Sequence, residues 1–381
     1  MRIGIDARIF GAKETGIGRY TQELIKQLEV IETNNEYSIF LRHSGYQEYT
    51  PHNPGFRKVL ADFRPYTLQE QIRFYRLLRR HKPDIMHFPH WNVPYLYKHP
   101  FIVTIHDLIL DALPELQRES STRSWTIRKL KLFCYKKSMK KTLQKAQTVI
   151  AISPYTKRDL IKYYHVEKEK IHVLSNGFTP LAESRQTETQ RNNDKETFSR
   201  YNIGKPFLLS VGSAYPHKNL KRALRVFRTL PKNLSYVLVC KQDAFLTQLK
   251  HWCAKNGLSE RIRFIENVPD SDLAVLYRNA ELYLCPSLYE GFGMPPLEAM
   301  HFGTPVASSN AASLPQIYKD AALYFNPYDE REMKRVILSI LNNDHLRRKI
   351  TENGHSLIQQ YSWRQCAQKV QRLYQPNNTH I

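Results

Sequence analysis

The sequence has 381 residues, enough for two ordinary domains that each bury their own core. A composition of 41% hydrophobic and 24% charged residues is typical of a globular protein and excludes a disordered one. The formal net charge of +22 indicates polyanionic neighbours, namely nucleic acid, acidic phospholipid or phosphorylated ligands, and does not choose among them.

The termini and the cysteines indicate the compartment. The apolar run that begins at Ile3 is interrupted by Asp6 and Arg8, so the sequence predicts a buried strand over 1–7 rather than a secretion signal. No uncharged apolar stretch is long enough for a membrane-spanning helix. The five cysteines form no C-x-x-C pair, which argues against a zinc ribbon or a disulfide framework and favours a reducing compartment. We therefore expect a cytoplasmic protein.

Short β-branched runs alternate with segments of helical spacing along the whole chain. This alternation predicts an α/β fold of parallel sheets with helices on both faces. Helical spacing is clear over Asn219–Leu230 and Asp272–Asn279. The predicted strands are, in chain order, Arg2–Asp6, Tyr37–Leu41, Asp84–Phe88, Ile102–His106, Thr148–Ile152, His172–Leu174, Phe207–Val211, Tyr236–Cys240, Arg261–Ile265, Leu282–Cys285, Pro305–Ser308 and Ala322–Phe325.

One polar stretch interrupts this alternation. Residues 182–201 have no apolar period, so we predict a linker over 181–204 between a first domain, 1–180, and a second domain, 205–360. The final segment, 361–381, has helical spacing and is expected to return to the first domain. Ligands bind at the carboxyl ends of strands in open α/β sheets, so two such domains face to face would place a cleft between them.

The most informative stretch is Leu282–Pro305. A buried strand ends in a Pro-Ser turn, Glu290 precedes a Gly-Phe-Gly loop, and Pro295-Pro296 open a short helix. A helix entered through glycines offers backbone N–H groups and the positive end of its dipole, which suit a diphosphate or sugar hydroxyls.

Glu290 and Glu298 allow three interpretations. A hydrolase acid/base pair needs carboxyl groups about 5–5.5 Å or 6.5–9.5 Å apart. Eight helical residues span roughly 12 Å, so the two glutamates fit better as contacts to different ends of one long ligand. The third interpretation is structural, with one capping glutamate and one solvated helix glutamate.

The two glutamates form an E-x7-E signature inside YEGFGMPPLEAM. This stretch, together with shorter motifs in order along almost the whole chain, resembles glycosyltransferase family 4, the retaining enzymes of the GT-B fold. The resemblance implies two Rossmann-like domains facing across a cleft, and it is strongest towards bacterial mannosyltransferases of polysaccharide and lipopolysaccharide assembly. The other motifs are Gly16–Tyr20, Val103–Asp107, Ile152–Lys157, Ser175–Gly177, Val211–Ser213, Pro216–Asn219, Val268-Pro269, Gly303–Val306 and Ser309-Asn310.

The resemblance implies a role for each matching residue. Glu298 would accept hydrogen bonds from the ribose hydroxyls, Glu290 would hold the hexose, and Lys218 would bind the diphosphate, where negative charge grows in the transition state. The alternative for Lys218 is a solvated lysine at a helix start, an electrostatically poor position. Ser213 stands where the family often has an arginine, so either Lys218 acts alone or Lys241 assists. The donor-binding residues implied are Gly16, Gly18, Ser213, Gly291, Phe292, Gly293, Met294 and Glu298.

On the acceptor side, Gly16 and Gly18 would let a loop approach the diphosphate. His106 resembles the histidine that touches the hexose in this family and is, with Glu290 and Lys218, a predicted catalytic residue. We expect His87, His90, Trp91 and Asp107 to line the acceptor side.

Metal binding is the alternative for His87, His90 and His106. The resemblance implies that neither a metal nor any other cofactor is needed. Asp270-Ser271-Asp272 matches a D-x-D metal motif, but its position before an amphipathic helix predicts a capping aspartate.

Residues 121–145 combine nine lysines and arginines with apolar side chains and no acidic residue. Such a basic amphipathic helix suits an anionic bilayer surface, and the alternative is an ordinary helix with a solvated basic face. No zinc-finger spacing or RNP-type strand supports the rival interpretation of a nucleic-acid-binding protein. The sequence therefore predicts a peripheral enzyme on the inner face of the cytoplasmic membrane that transfers a hexose, first of all mannose from GDP-mannose, to a glycan or lipid-linked acceptor.

Overall fold

A computed structural model describes residues 1–11, 16–67, 69–116, 125–181 and 188–375, with the side chains of 125–128 and 188–193 excluded. The chain divides into two units. The first comprises Met1–Ala112, Thr122–Gly177 and Ser362–Ile381, and the second comprises Leu113–Ser121 and Phe178–Tyr361.

The first unit is built on a parallel sheet of seven strands in the order β3-β2-β1-β4-β5-β6-β7. The strands are β1 Arg2–Ala7, β2 Glu36–Leu41, β3 Phe56–Leu60, β4 Ile85–Phe88, β5 Phe101–Ile105, β6 Thr148–Ala151 and β7 Ile171–Val173. The helices are Gly16–Ile31, His43–Glu48, Tyr75–His81 with a preceding π-helical turn Glu70–Phe74, Ile109–Ala112, Trp125–Lys145, Pro154–Tyr164, the 3-10 turn Lys168–Lys170, and Trp363–Leu373.

This sheet is buried on both faces. Ile39 on β2 packs into one apolar cluster and the next residue, Phe40, into another on the opposite face. Neighbouring side chains of a strand point to opposite faces, so uninterrupted apolar runs require helices on both sides of the sheet. The α/β architecture predicted from these runs is confirmed.

The second unit repeats this plan with six parallel strands in the order β10-β9-β8-β11-β12-β13. The strands are β8 Phe207–Val211, β9 Ser235–Val239, β10 Ile262–Ile265, β11 Leu282–Cys285, β12 Val306–Ser309 and β13 Leu323–Phe325. The helices are Glu188–Tyr201, the 3-10 turn Pro216–Lys218, Leu220–Phe227, Ala244–Lys255, Asp270–Asn279, Met294–His301, Leu314–Tyr318, Glu330–Leu341 and Asp344–Ile358.

A helix, Glu188–Tyr201, occupies most of the predicted linker, which corrects that prediction. Polar contacts tie it to the helix Asp270–Asn279: Asp194 accepts hydrogen bonds from Arg278 at 2.7 Å and from Asn279 at 2.9 Å. The helix showed no apolar period because charged and amide groups supply these contacts. Residues 182–187 lie outside the described part of the chain.

The C-terminal helix, Trp363–Leu373, packs in the first unit. Its buried Trp363, Ala367 and Val370 join the same apolar cluster as Ile39. The chain passes very close to itself here, since a Cβ atom on Gly177 would lie 2.2 Å from the Trp363 backbone nitrogen. Only glycine fits at such an approach.

No helix in the described ranges is long and apolar enough to cross a membrane.

Candidate active site

A pocket opens in the second unit where the strand order reverses. From β8 the sheet continues to β9 and β10 on one side, and from the adjacent β11 it continues to β12 and β13 on the other side. The loops after β8 and β11 therefore diverge and leave a crevice. The pocket encloses about 370 Å³ of solvent-open space. Its lining is Ser210, Val211, Gly212, Ser213, Lys218, Leu220, Cys240, Tyr283, Leu284, Cys285, Ser287, Glu290, Gly293, Pro295 and Pro296.

An ion pair lies in this lining. Lys218 Nζ donates to Glu290 Oε1 at 2.6 Å, and the two side chains are only 21% and 14% exposed. Ser287 Oγ donates to the same carboxylate oxygen at 2.7 Å, and Ser313 Oγ donates to the Glu290 backbone carbonyl at 2.8 Å. The structure thus brings two predicted catalytic residues together and adds Ser287, whose only sequence signal was its Pro-Ser turn.

The electrostatics of the pair favour a charged Glu290. Burial opposes its ionisation, but the charges of Lys218 and His217 and the hydrogen bonds from Lys218 and Ser287 outweigh burial and lower the pKa of Glu290. For His217, burial and the nearby Lys218 ammonium lower the pKa to about 4. At neutral pH the site therefore contains a carboxylate, an ammonium group and a neutral imidazole.

Lys218 is positioned by the residue that follows it. Asn219 has a left-handed φ of 56°, which asparagine tolerates better than most residues. Its Nδ2 donates to the Pro286 carbonyl at 3.1 Å and to the Pro327 carbonyl at 2.9 Å. These bonds connect the 3-10 turn Pro216–Lys218 to the loops after β11 and β13.

The glycine loop before the helix Met294–His301 is held by a tyrosine. Gly293 has a φ of +84°, and a Cβ atom there would lie 2.1 Å from the Tyr318 hydroxyl, which donates to the Gly293 carbonyl at 2.7 Å. Within the described residues, the amides of Gly291, Phe292 and Gly293 donate to no protein acceptor. The first turn of a helix normally offers free backbone N–H groups, but Pro295 and Pro296 have none. The amides of the preceding loop supply these donors instead.

Glu298, the second glutamate of the signature, is 4% exposed and is not part of the pocket lining. Its Oε2 accepts a hydrogen bond of 2.7 Å from the buried Tyr277 hydroxyl. The Phe292 side chain is also buried, with its ring edge-on to Tyr361 at 5.4 Å. The contact of Glu298 with the ribose stays a prediction. Because the Phe292 side chain is buried, only the backbone of Phe292 can contact a ligand.

Ser213 lies in the pocket lining, where the family often has an arginine, and Lys218 is the cation in that lining. Lys241, the alternative cation, is exposed and is not in the lining.

In the first unit, His106 directly follows β5 and is partly buried. Its Nε2 bonds to the Pro89 carbonyl at 2.8 Å, and its ring lies edge-on to Tyr20 at 4.9 Å. Burial lowers its pKa to about 4, so the ring is neutral and donates to Pro89 through Nε2. Gly16 and Gly18 lie in the first turn of the helix that contains Tyr20, not in the expected loop; residues 12–15 lie outside the described part of the chain.

His87 does not line an acceptor site, and this corrects its predicted role. It has no exposed surface. Nδ1 bonds to the Tyr374 hydroxyl and Nε2 to Thr104 Oγ1, both at 2.8 Å. Burial lowers its pKa to about 3. His87 is thus a core residue that connects β4 to β5 and to the end of the C-terminal helix, because its position on β4 points its side chain into the sheet packing.

His90 and Trp91 remain at the surface of this unit, where they contact Tyr66, a residue that the sequence analysis did not identify. The exposed Tyr66 packs its ring against Trp91 at 5.3 Å, and its hydroxyl lies 3.1 Å from His90 Nδ1. Asp107 is exposed, and its Oδ1 accepts from the Ile109 amide at 3.2 Å. Aromatic faces beside polar groups suit a sugar, which has apolar C–H faces and hydroxyl edges.

A buried charge cluster lies at the carboxyl end of β1. Arg8, 4% exposed, pairs at 2.7 Å with both Asp6 and the fully buried Glu70. Its Nη1 has no partner in the described structure. In the sequence, this cluster was indicated by the two charged residues, Asp6 and Arg8, that interrupt the apolar run of the first strand.

Within the described residues, no group of three histidine, cysteine, aspartate or glutamate side chains could hold a metal ion. Asp272 of the D-x-D motif accepts hydrogen bonds from Arg200 at 2.7 Å and Tyr201 at 2.8 Å. Its role is structural as predicted, but it does not cap its helix, whose N-cap residue Pro269 makes no side-chain bond.

Two family descriptions match the chain over most of its length. Residues 15–180 match "Glycosyltransferase Family 4", and residues 193–357 match "Glycosyl transferases group 1". The O-antigen chain mannosyltransferase B of Escherichia coli is 28% identical over 391 aligned residues, which cover 94% of this chain and 96% of that protein.

Solved structures share the fold. The sucrose-phosphate synthase of Thermosynechococcus elongatus matches with a TM-score of 0.76 at 19% identity, covering 98% of each chain. The Anabaena protein HepE, solved in complex with UDP and glucose, matches with a TM-score of 0.73 at 15% identity, again covering 98% of each chain.

The two parallel-sheet domains and these matches define a glycosyltransferase of the GT-B fold. The chain belongs to glycosyltransferase family 4, as its motifs predicted.

Proposed function

We propose that this glycosyltransferase transfers mannose from GDP-mannose, with retention of configuration, to a glycan or lipid-linked acceptor in cell-surface polysaccharide synthesis. The observation that carries the proposal is the Lys218–Glu290–Ser287 cluster at the carboxyl edge of the second sheet. The relative from Escherichia coli, an O-antigen chain mannosyltransferase, supports both the sugar and the type of product.

In the proposed reaction, the bond from the anomeric carbon to the donor phosphate oxygen breaks, and a bond to the acceptor oxygen forms on the same face. The acceptor proton passes to the departing diphosphate, so no protein base is required. The Lys218 ammonium and the loop amides of Gly291, Phe292 and Gly293 stabilise the charge that grows on the diphosphate. We expect turnover without a metal for this reason.

Glu290 has two functions in this proposal. Its ionised carboxylate holds the Lys218 ammonium in the pocket at 2.6 Å, and it accepts hydrogen bonds from the hexose hydroxyls. An ammonium group has three N–H donors, so Lys218 can bind the diphosphate while it keeps this bond. His106 is proposed to contact the hexose, and a His106→Asn variant tests that role.

Product formation with a panel of UDP- and GDP-hexoses tests the specificity. GDP-mannose should be the preferred donor, and NMR of the product should show the donor's anomeric configuration. Another UDP- or GDP-hexose as the preferred donor would replace mannose but keep the reaction; HepE, for instance, was solved with UDP and glucose. An inverted product would refute retention.

Nucleic-acid binding is the competing explanation of the charge. Calorimetry with GDP and with duplex DNA over a range of salt concentrations separates the two, because phosphate-backbone binding weakens steeply with salt. Tight DNA binding without nucleotide binding would overturn the transferase proposal.

We also propose that the protein works at the anionic inner surface of the cytoplasmic membrane. The described part of the predicted basic segment is the helix Trp125–Lys145, which buries Tyr135, Met139 and Leu143 in the core of its unit. Its opposite side exposes lysines together with Leu130 and Phe133, each 63% exposed. Exposed apolar side chains among lysines suit an anionic bilayer better than water. Vesicle flotation tests this location.

A further inference from the structure

An exposed aromatic cluster lies at the carboxyl edge of the first sheet. It consists of Tyr66, His90 and Trp91, which we call the aromatic platform. The ring of Trp91 lies 5.3 Å from that of Tyr66 and 5.2 Å from that of His90, and the Tyr66 and His90 rings are 5.8 Å apart. Tyr66 is 58% exposed, and the other two residues are half-buried. The platform therefore presents aromatic surface to solvent.

The structure holds Tyr66 in an unfavourable backbone conformation. Its φ of 66° lies in the left-handed region, which is costly for a residue with a large side chain. The Tyr66 amide donates to Glu70 Oε2 at 2.7 Å, and the Tyr66 hydroxyl lies 3.1 Å from His90 Nδ1. Strained residues persist only where their surroundings fix them, and they are concentrated at binding and active sites.

The acceptor of the Tyr66 amide belongs to the buried charge cluster of this unit. Glu70 has no exposed surface, and its Oε1 lies 2.7 Å from both Arg8 and Asn92 Nδ2. The Arg8 guanidinium lies 3.8 Å from the centre of the Phe74 ring. Glu70 also begins the π-helical turn, a rare element that is frequent at functional sites. A buried ion pair adds little net stability, so the effect of this cluster that matters here is to fix the position of Tyr66.

The platform lies beside His106, which is proposed to contact the transferred hexose. His106 Nε2 donates to the Pro89 carbonyl at 2.8 Å, and Pro89 directly precedes His90. Asp107 follows His106 and is exposed. The loops after the neighbouring strands β4 and β5 thus combine aromatic surface, a neutral imidazole and a carboxylate at the edge of the sheet where ligands bind.

A neutral sugar ring fits this surface. The C–H groups of a pyranose form an apolar face that packs against an aromatic ring, and its hydroxyl groups bond to polar neighbours such as the Asp107 carboxylate. An anionic ligand fits less well. Asp107 would repel it, and the single guanidinium of Arg8 is already paired with the carboxyl groups of Asp6 and Glu70.

We propose that the aromatic platform is the subsite for the pyranose ring that accepts the transferred hexose, with Tyr66 as the residue on which this ring stacks. The inference rests on the proposed transferase function for the role of the sugar as acceptor. It adds Tyr66, and through it Glu70, to the residues that select that acceptor. The Lys218–Glu290 site lies in the other unit and does not depend on it.

The test compares the wild type with Tyr66→Ala, Tyr66→Phe and Tyr66→Gly, and uses Tyr328→Ala as the matched control. Tyr328 is 59% exposed and lies in the second unit. Saturation-transfer NMR with the methyl α-glycosides of mannose, glucose, galactose and N-acetylglucosamine measures sugar binding and identifies the sugar protons that contact the protein. Calorimetry with GDP and flotation with phosphatidylglycerol vesicles are carried out on the same preparations.

Tyr66→Ala should weaken glycoside binding about tenfold, the order expected for the loss of one aromatic contact, and Tyr328→Ala should not. Tyr66→Phe keeps the ring and should bind within about threefold of the wild type. Tyr66→Gly should bind as weakly as Tyr66→Ala but unfold at a higher temperature, because glycine accepts the left-handed backbone. That pair of results separates lost stacking from lost stability.

The position of the sugar gives two further measurements. In the wild type, saturation transfer should be strongest at the ring C–H protons of the bound glycoside. A glycoside that binds should also accept hexose from the preferred donor, with its KM raised about tenfold in Tyr66→Ala and kcat little changed, since stacking contributes equally to the ground state and the transition state.

No saturation transfer to any of these glycosides in the wild type would overturn the subsite, and so would equal binding by the wild type and Tyr66→Ala. Glycosides that bind but accept no hexose would refute the assignment to the acceptor. Loss of vesicle flotation in Tyr66→Ala with unchanged glycoside binding would assign the platform to the bilayer instead. GDP binding without glycoside binding removes the subsite and leaves the transferase proposal intact, whereas glycoside binding without GDP binding contradicts the proposed donor alone.

Discussion

Lys218 and Glu290, 72 positions apart in the sequence, meet at 2.6 Å in the second unit. The lysine follows β8 and the glutamate follows β11, and these strands are neighbours at the point where the strand order reverses. The pair therefore depends on the sheet topology, and the carboxylate keeps the ammonium inside the pocket before the diphosphate of the proposed donor binds. Preorganised charge of this kind is effective because little reorganisation is needed during the reaction.

Lys218→Gln should reduce turnover by about a hundredfold, with a smaller effect on donor affinity, because the lost charge opposes the anion that forms in the transition state. Steady-state kinetics with the preferred donor measure this. Lys221→Gln removes an exposed lysine nearby and serves as the control. Wild-type turnover in Lys218→Gln would contradict the assigned role.

Glu298→Gln should weaken nucleotide binding by roughly ten- to a hundredfold, the range for losing hydrogen bonds to a charged group. The amide keeps the volume and can still accept from Tyr277, so folding should change little. Calorimetry with the nucleoside diphosphate checks the affinity. Tyr277→Phe is the companion variant that removes the buried bond itself: if Glu298 acts only as the partner of Tyr277, Tyr277→Phe will lower the melting temperature and Glu298→Gln will leave nucleotide binding unchanged.

Asn219→Gly should lower kcat by roughly tenfold with a smaller change in KM. Glycine accepts the left-handed backbone but cannot bond to the carbonyls of Pro286 and Pro327. The turn that contains Lys218 would then lose its attachment, and small displacements of a catalytic group cost rate. Asn219→Ala adds backbone strain and should also lower the melting temperature. Equal kcat in the wild type and Asn219→Gly would show that the bonds serve folding alone.

Gly293→Ala should destabilise the second unit and abolish donor binding. The new methyl group would meet the Tyr318 hydroxyl and would also occupy a backbone conformation with φ of +84°. In Gly293→Ala/Tyr318→Phe the hydroxyl is gone, so the clash is partly relieved and a backbone cost of about 1 kcal/mol remains. Thermal unfolding should rank the double variant between the wild type and Gly293→Ala. A single variant as stable as the wild type would refute the geometry.

Acid should destabilise the fold through its buried histidines. Burial lowers the pKa of His87 to about 3 and that of His106 and His217 to about 4, against roughly 6.5 in an unfolded chain. At a pH between the folded-state and unfolded-state pKa values, these histidines are protonated in the unfolded chain and neutral in the folded chain. The free energy of unfolding therefore falls as the pH decreases from about 6.5.

His87→Gln provides the test of this pH dependence. Glutamine can bond to Tyr374 and Thr104 but does not titrate, so the variant should lose less stability than the wild type between pH 7 and pH 5. Each histidine contributes up to about 1.4 kcal/mol per pH unit in this window. Parallel unfolding curves for the two proteins across that range would contradict the assignment.

Several features could be predicted because they are local. The apolar runs of Phe207–Val211 and Leu282–Cys285 identify strands buried on both faces, and strand–helix alternation predicts parallel sheets. The edge strand Phe56–Leu60 was missed because its RKV centre interrupts the apolar run. The helix at Glu188–Tyr201 was missed because its contacts are polar, and a polar helix has no apolar period to detect.

The sequence by itself determined the fold class, the family and the glycine loop after Glu290, since these follow from residue types at fixed spacing. The tertiary structure alone decided that His87 lies in the core, that Tyr66 joins His90 and Trp91, and that Lys218 meets Glu290. Those facts depend on which side of a strand a residue occupies and on contacts between distant segments. Spacing along the chain does not contain that information, because it arises only when the sheets and helices pack.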